Sequence, residues 1–76
     1  MLLSDLGKRI KSLRKERSLS QEALAKEVGI SRVTLSKLEN GYFGNISIAM
    51  LDNILSILGY ELELLAKNPF ISTEIE

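Results

Sequence analysis

The sequence predicts an all-α bundle of four to five helices with a short C-terminal strand. Three observations lead to this fold class. Apolar residues recur every three or four positions in four segments, a serine precedes three of those segments, and a glycine follows three of them. The 76 residues are enough for one small domain. We expect this domain to span residues 1–68 and to be followed by a flexible tail over residues 69–76.

The first two helices are indicated by apolar spacing and by the residues at their ends. The apolar residues of the first helix lie on one face, at spacings of four and three: Leu6, Ile10 and Leu13. This helix should run from about Leu3 to Arg17. Ser20 is a favourable N-cap for the second helix, and Gly29 can adopt the left-handed conformation that ends it.

The third and fourth helices differ in how much of their surface is apolar. The third begins after Ser31, has two inward-pointing leucines and ends at Asn40 and Gly41. The fourth, which Ser47 caps, is apolar on nearly all sides, and such a helix is buried on more than one side. The chain has few other elements that can cover it, so we expect part of this helix to pack against a second copy of the chain.

A period-two pattern follows the fourth helix. Tyr60, Leu62 and Leu64 alternate with two glutamates, which is typical of a half-buried strand. Because one strand cannot satisfy its own backbone, its partner would be the same strand of a second subunit across a two-fold axis. The alternative is that residues 60–66 continue as helix, since Glu, Leu and Ala favour helices. The residues expected at the dimer interface are Leu51, Ile54, Leu55, Leu58, Tyr60, Leu62 and Leu64.

The charges of the chain are distributed unevenly, although its net charge is zero. Residues 1–40 hold nine basic and five acidic side chains, a net charge of +4. Residues 41–76 hold one basic and five acidic side chains, a net charge of −4. Such asymmetry between halves indicates a polyanion as the partner of the basic half.

Composition argues against several classes of function. The chain has no cysteine and no histidine, so we expect no disulfide, no metal site and no histidine acid–base chemistry. A glycine-rich phosphate loop and a nucleophile beside a base are also missing from the sequence, so we expect neither an enzyme nor a cofactor. No stretch approaches the roughly 20 apolar residues of a membrane span. We therefore expect a soluble, cytoplasmic protein with no membrane partner.

One segment carries a resemblance to a known family. Residues 19–41, LSQEALAKEVGISRVTLSKLENG, resemble the helix-turn-helix of Cro/C1-type (XRE-like) DNA-binding proteins. The matching positions are Gln21, Ala25, Gly29, Leu35, Glu39 and Gly41. The resemblance implies a lambda-repressor-like bundle that places its third helix in the major groove of double-stranded DNA.

The resemblance also assigns roles to individual residues. It implies base contacts for Arg32, Val33, Ser36 and Lys37. It implies phosphate contacts for Gln21, Ser31, Thr34 and Asn40. An arginine or lysine in the groove can bond guanine, and a valine can meet a thymine methyl group. Arg14 and Glu39 match positions that form an internal ion pair in relatives, so we expect them to be structural.

A second resemblance concerns residues 51–69, LDNILSILGYELELLAKNP, which are similar to the C-terminal part of HipB-like antitoxins. It implies a homodimeric repressor that binds an inverted-repeat operator of its own operon and a HipA-type serine/threonine kinase toxin. Leu65, Phe70 and Ile71 are the apolar candidates for the toxin contact. The alternatives are a stand-alone phage or host regulator of the Cro/C1 type, and a protein-interaction module that reuses the fold.

Overall fold

Four α-helices form the secondary structure of residues 2–44 and 46–63, the part of the chain that this computed structural model describes. They are α1 (Leu3–Glu16), α2 (Gln21–Val28), α3 (Arg32–Glu39) and α4 (Ile48–Ile57). The predicted all-α bundle is thereby confirmed with four helices in these ranges. The predicted limit of the domain at residue 68 and the tail after it lie outside the described residues.

The predicted N-caps are confirmed at α2, α3 and α4. In each case the serine hydroxyl oxygen accepts a hydrogen bond at 3.0 Å from the amide three residues on: Ser20 from Ala23, Ser31 from Thr34, and Ser47 from Met50. Each bond satisfies an amide that has no partner within its helix. Gly29 ends α2 in the left-handed conformation, with a φ of 87°, as predicted.

The core is built from nine apolar side chains, eight from the four helices and one, Leu58, from the residue that follows α4. They are Ile10, Leu13, Leu24, Ala25, Leu35, Leu38, Ile54, Leu55 and Leu58. Burial of this kind is the main favourable term in folding. Half-buried residues from the turns and the C-terminal part of α2 pack against this core, among them Leu19, Val28, Ile30, Phe43 and Ile46. The turns therefore add apolar surface to the core beyond the surface that the four helices supply.

This core corrects part of the predicted dimer interface. Ile54 and Leu58 are 0% exposed and Leu55 is 7% exposed in the single chain, so the prediction that they contact a second copy is wrong. It was wrong because apolar turn residues pack against the same core that encloses these side chains. Leu51 is half-buried and Tyr60 and Leu62 are exposed, so these three remain available to a partner, whereas Leu64 lies outside the described residues.

Helix α1 meets the end of α3 through two glycines. A Cβ atom on Gly7 would lie 2.5 Å from the carbonyl oxygen of Leu38 and 2.8 Å from that of Glu39. A Cβ atom on Gly41, whose φ is +93°, would lie 2.9 Å from the Cα atom of Ser4. The absence of these side chains lets the backbones approach closely, and this contact fixes where α3 lies.

The segment after α4 turns away from the helix axis. Gly59 has a φ of +89°, and the Tyr60 N–H donates to the Leu55 carbonyl oxygen at 2.7 Å. Residues 60–63 are not helical, so the helical alternative is wrong there, while a strand paired with a second chain stays a prediction. Among residues 2–44 and 46–63, every helix is too short or too polar to cross a membrane.

Candidate nucleic-acid interface

Helices α2 and α3 are joined by a tight turn that depends on a small residue. The carbonyl oxygen of Ala25 accepts hydrogen bonds from the Gly29 N–H at 2.8 Å and the Ile30 N–H at 3.0 Å. Ala25 is 2% exposed, and a larger side chain at this position would push the two helices apart. The turn therefore sets the angle at which α3 leaves the core.

Helix α3 buries one face and exposes the other. Leu35 and Leu38 are both 0% exposed and hold the helix on the core. Because residues three apart lie on the same helix face, the side chains on the other side reach the surface. Arg32, Val33 and Lys37 are exposed there, and Val33 keeps 56% of its surface. Three of the four residues predicted to contact bases are thus brought together on one open face.

Hydrogen bonds within α3 or at its ends engage the fourth predicted base contact, Ser36, and three of the predicted phosphate contacts: Ser31, Thr34 and Asn40. Ser36 is half-buried, and its carbonyl oxygen accepts a hydrogen bond from Asn40 Nδ2 at 2.8 Å. The Ser31 hydroxyl donates to Thr34 Oγ1 at 2.8 Å.

A buried ion pair joins α1 to the end of α3. Arg14 Nε donates to Glu39 Oε2 at 2.6 Å, and Arg14 Nη2 donates to Glu39 Oε1 at 3.1 Å. Arg14 Nη1 donates to the Leu19 carbonyl oxygen at 2.8 Å. The arginine and glutamate side chains are only 8% and 2% exposed. This two-bond geometry is the one that compensates for burying both charges, and it gives the pair a structural role.

The side chain of Gln21 connects this ion pair to the surface. Its Nε2 atom donates to Glu39 Oε1 at 3.0 Å, and its Oε1 atom accepts a long hydrogen bond from Arg32 Nη1 at 3.4 Å. The family resemblance implies that Gln21 contacts a DNA phosphate, whereas in this structure both ends of its amide bond to other side chains of the same chain. Glu39 and Arg32 are 18 and 11 residues from Gln21 in the sequence. No local sequence pattern predicts contacts between residues so far apart in the chain.

Tyr42, which follows the glycine that ends α3, is not among the residues that the sequence predicts to contact DNA. This tyrosine is 72% exposed. Its backbone N–H donates to the Lys37 carbonyl oxygen at 2.9 Å, which fixes the start of the loop to the last turn of α3. A cleft of about 340 Å³ opens at this point, lined by Thr34, Lys37, Tyr42, Phe43, Gly44 and Ile46. The sequence signal that could have pointed to Tyr42 is its position as an aromatic residue directly after the helix predicted to contact DNA.

A helix-turn-helix family model matches residues 10–65 of the chain. The chain belongs to the HTH_3 family. The resemblance to XRE-like proteins is thereby confirmed, and with it a DNA-binding helix-turn-helix, which α2 and α3 form in this chain. Membership of the HTH_3 family also points to a non-enzymatic domain.

Among curated proteins, the chain is 49% identical over 49 residues to the antitoxin PezA of Streptococcus pneumoniae serotype 4 (strain ATCC BAA-334 / TIGR4). The match covers 64% of the chain and 30% of PezA. The chain thus aligns with less than a third of the length of PezA, and most of PezA has no counterpart in the match.

Two solved structures share the fold. A chain of the HipA-HipB-O2-O3 complex aligns with a TM-score of 0.74 at 26% identity, over 90% of this chain and 94% of that one. An HTH_3 family transcriptional regulator from Vibrio cholerae aligns with a TM-score of 0.67 at 36% identity, over 80% of this chain and 34% of that one.

An enzyme also contains a similar domain. Hydroxypropylphosphonic acid epoxidase from S. wedmorenis aligns with a TM-score of 0.72 at 25% identity, over 79% of this chain and 31% of the epoxidase chain. The match is therefore confined to less than a third of that enzyme. Fold alone does not decide function.

Proposed function

We propose that the protein is a sequence-specific transcriptional repressor that binds an inverted-repeat operator as a homodimer. The observation that carries the proposal is the exposed face of α3, where Arg32, Val33 and Lys37 lie opposite the buried leucines. An α-helix with its side chains is about 10 to 12 Å across, which fits the roughly 12 Å width of the major groove. In this docking Arg32 and Val33, at the first two positions of α3, meet base edges.

The ion pair and Gln21 support this role by holding Arg32 in place. Arg32 is exposed, and a long, flexible side chain on a surface loses rotamer freedom when it binds. The hydrogen bond from Arg32 Nη1 to Gln21 Oε1 restricts that freedom before DNA arrives. Gln21 is in turn bonded to Glu39, so a chain of hydrogen bonds links the Arg32 guanidinium to the buried ion pair.

The homodimer is supported by apolar surface on and after α4. Ile48 is 77% exposed, Tyr60 49% and Leu62 44%. A groove of about 430 Å³ is lined there by Ile48, Leu51, Leu62 and Glu63. Grouped apolar side chains on a surface mark interaction sites more often than scattered ones do. In the proposed dimer two copies of α3 meet half-sites about one helical turn, roughly 34 Å, apart.

The more specific form of the proposal is an antitoxin that represses its own operon and binds a HipA-type serine/threonine kinase toxin. It is supported by the identity to a protein named antitoxin and by an alignment that covers nearly all of a chain from the HipA-HipB-O2-O3 complex. The 36% identity to a Vibrio cholerae transcriptional regulator favours a second candidate, a stand-alone regulator. Co-purification with the product of the neighbouring gene separates the two, because only the antitoxin carries a toxin with it.

The proposal includes no catalytic step, metal or cofactor. Its rival is a protein-interaction module that reuses the fold, and a DNA titration distinguishes them. The experiment is a fluorescence-anisotropy titration with DNA from immediately upstream of the gene, beside scrambled DNA, at two salt concentrations. A preference of about a thousandfold or more for the upstream DNA supports the repressor, since specific and non-specific binding typically differ by that factor. Equal affinity for both DNAs contradicts autorepression.

Replacing Arg32 by alanine is expected to weaken operator binding by about 1 to 3 kcal/mol and to relax the preference at one base position. The variant loses the hydrogen bonds from Arg32 to one base edge. Water then bonds to that edge whichever base is present, so the preference at that position is lost. Titration against operators with single base changes measures both effects. Arg9→Ala is the matched control, because Arg9 is an exposed arginine of α1. An Arg32 variant that keeps full discrimination at every position contradicts the base-reading role.

Replacing Leu62 by aspartate is expected to shift the protein from dimer to monomer. The substitution places a charge in the apolar groove beside α4, and burying an unpaired charge in an interface is costly. Sedimentation velocity at several protein concentrations measures the shift. Leu3→Asp serves as control, since Leu3 is 55% exposed and lies at the start of α1. If the Leu62 variant remains as dimeric as the control, this surface is not the interface.

A further inference from the structure

We propose that Asn40 is a site of spontaneous deamidation, which the folded end of α3 suppresses and whose product binds DNA more weakly. Gly41 directly follows Asn40 in the chain. In such a pair the amide nitrogen of the glycine can attack the side-chain carbonyl carbon of the asparagine, because glycine has no Cβ atom to obstruct the approach. The effect on DNA binding rests on the proposed function, whereas the modification itself does not.

The reaction needs only water. A bond forms between the Gly41 nitrogen and the Cγ atom of Asn40, and the bond from Cγ to Nδ2 breaks. Ammonia leaves with the proton of the Gly41 amide, and a succinimide ring remains. Water then adds to one of the two ring carbonyl groups and opens the ring. The product is aspartate when the original main-chain bond is kept, and isoaspartate when the main chain runs through the former side-chain carbon.

The fold requires glycine at position 41, so a larger residue cannot slow the reaction there. Gly41 has a φ of +93°, and a Cβ atom on it would lie 2.9 Å from the Cα atom of Ser4. The other three asparagines of the sequence precede isoleucine or proline. Asn53, for example, is exposed on α4 and is followed by Ile54, whose branched side chain hinders its amide nitrogen. Asn40 is therefore the asparagine that should react first.

The native structure holds the reacting groups of this pair apart. The Gly41 N–H donates to the Leu38 carbonyl oxygen at 2.9 Å. Asn40 Nδ2 donates to the Ser36 carbonyl oxygen at 2.8 Å. The ψ of Asn40 is 8°, which places the Gly41 nitrogen beside the Asn40 nitrogen, whereas ring closure requires it beside the Cβ atom. Asn40 thus reacts only when the end of α3 opens, and such local openings are part of the native ensemble.

Deamidation changes the charge at the end of α3. An ionised aspartate cannot donate a hydrogen bond, so the bond to the Ser36 carbonyl oxygen is lost. The new negative charge lies next to Glu39 in the chain, at the negative end of the helix dipole, where the family resemblance places a DNA phosphate. Isoaspartate also lengthens the main chain before Gly41, whose backbone has to fit against Ser4. Both products should therefore weaken binding to every DNA.

Bound DNA should protect Asn40 from this reaction. A ligand that binds only the native state lowers the population of open states, so protein on DNA reacts more slowly than free protein. Free protein, which opens repeatedly, is converted to the weakly binding form. The result is a chemical timer that inactivates the protein according to the time it spends unbound.

Peptide mapping by mass spectrometry measures the reaction on the full chain, with isoaspartate detected by an isoaspartate methyltransferase. The protein is incubated at neutral pH in buffer, in buffer with saturating upstream DNA, and in urea that unfolds it. We expect Asn40 to react at least about tenfold more slowly in buffer than in urea, a factor that corresponds to an opening free energy of about 1.4 kcal/mol. With DNA the reaction should be slower again. Asn53 is the internal control and should stay unmodified while Asn40 is converted.

Three variants test the effect on DNA binding, and circular dichroism checks that each is folded. Asn40→Asp has the sequence of the aspartate product, and it should bind upstream and scrambled DNA about tenfold more weakly, the lower end for the loss of a hydrogen bond to a charged group. Asn53→Asp makes the same charge change on α4 and should leave both affinities unchanged. Asn40→Gln closes the ring less readily, because its side chain is longer. It should retain its own affinity through the incubation that inactivates the unsubstituted protein.

Four results would overturn the proposal. In urea, Asn40 reacts no faster than Asn53; Asn40 reacts equally fast in buffer and in urea; saturating DNA does not slow it; or Asn40→Asp binds both DNAs as tightly as the unsubstituted protein. Autorepression fails separately, through a lack of preference for the upstream DNA. In that case the rates in buffer and in urea still decide whether the end of α3 suppresses deamidation, and scrambled DNA still shows the effect of Asn40→Asp.

Discussion

Replacing Glu39 by glutamine is expected to destabilise the protein by about 3 to 5 kcal/mol, because it leaves the Arg14 guanidinium buried without a counter-charge. The pair is almost fully enclosed, with 8% and 2% of the two side chains exposed, so water cannot solvate the arginine in place of the carboxylate. Stabilities of small domains are about 5 to 15 kcal/mol, so the loss is a large share of the total. Urea denaturation followed by circular dichroism measures it as a lower midpoint.

A double substitution separates the stranded charge from the lost bonds. Arg14→Met together with Glu39→Gln removes both charges and keeps an acceptor for the Gln21 amide. We expect this variant to be more stable than Glu39→Gln alone, because no unpaired charge is buried. Glu27→Gln is the control, since Glu27 is exposed on α2 and surface changes of this kind stay within about 0.5 kcal/mol. A double variant that is less stable than the single one contradicts the explanation.

The helices of this fold could be predicted from the sequence because their signals are local. A serine cap bonds an amide three residues away, and Gly29 ends α2 through its own backbone conformation. The exposed face of α3 is predictable for the same reason, since its two buried leucines lie three residues apart. The identities of the residues predicted to contact DNA came from the family resemblance. Arg32, Val33 and Lys37 are exposed, as such contacts require, whereas Ser36 is half-buried.

Contacts between distant residues could not be predicted in this way. The sequence of an apolar helix such as α4 indicates how much surface must be buried, but not which residues cover each side. In this structure Ile54 and Leu58 are buried within their own chain. The bond between Gln21 and Glu39 depends on how α2 and α3 are packed. Helix propensity indicates that Gly7 destabilises α1, but this glycine lies where the backbones of α1 and α3 are in close contact. Each of these is a property of the assembled fold.

Replacing Gly7 by alanine is expected to destabilise the protein by about 3 kcal/mol or more, at the upper end of overpacking costs. The new Cβ atom would lie 2.5 Å from the Leu38 carbonyl oxygen and 2.8 Å from that of Glu39. Both atoms belong to the backbone of α3, so no side-chain rotation relieves the contact and α1 has to move away from α3. Thermal unfolding followed by circular dichroism measures the change.

The sign of this change is informative because helix propensity predicts the opposite. Alanine in a helix interior is favoured over glycine by about 1 kcal/mol, so a chain without the close contact would gain stability. Gly29→Ala is the matched control: it adds the same methyl group where nothing lies within 4 Å, at a φ of +87°, and should cost about 1 to 2 kcal/mol from backbone strain alone. If Gly7→Ala costs more stability than Gly29→Ala, close packing of α1 on α3 holds α3 in position. If Gly7→Ala stabilises the protein, α3 is held by its leucines and the Arg14–Glu39 pair without that contact.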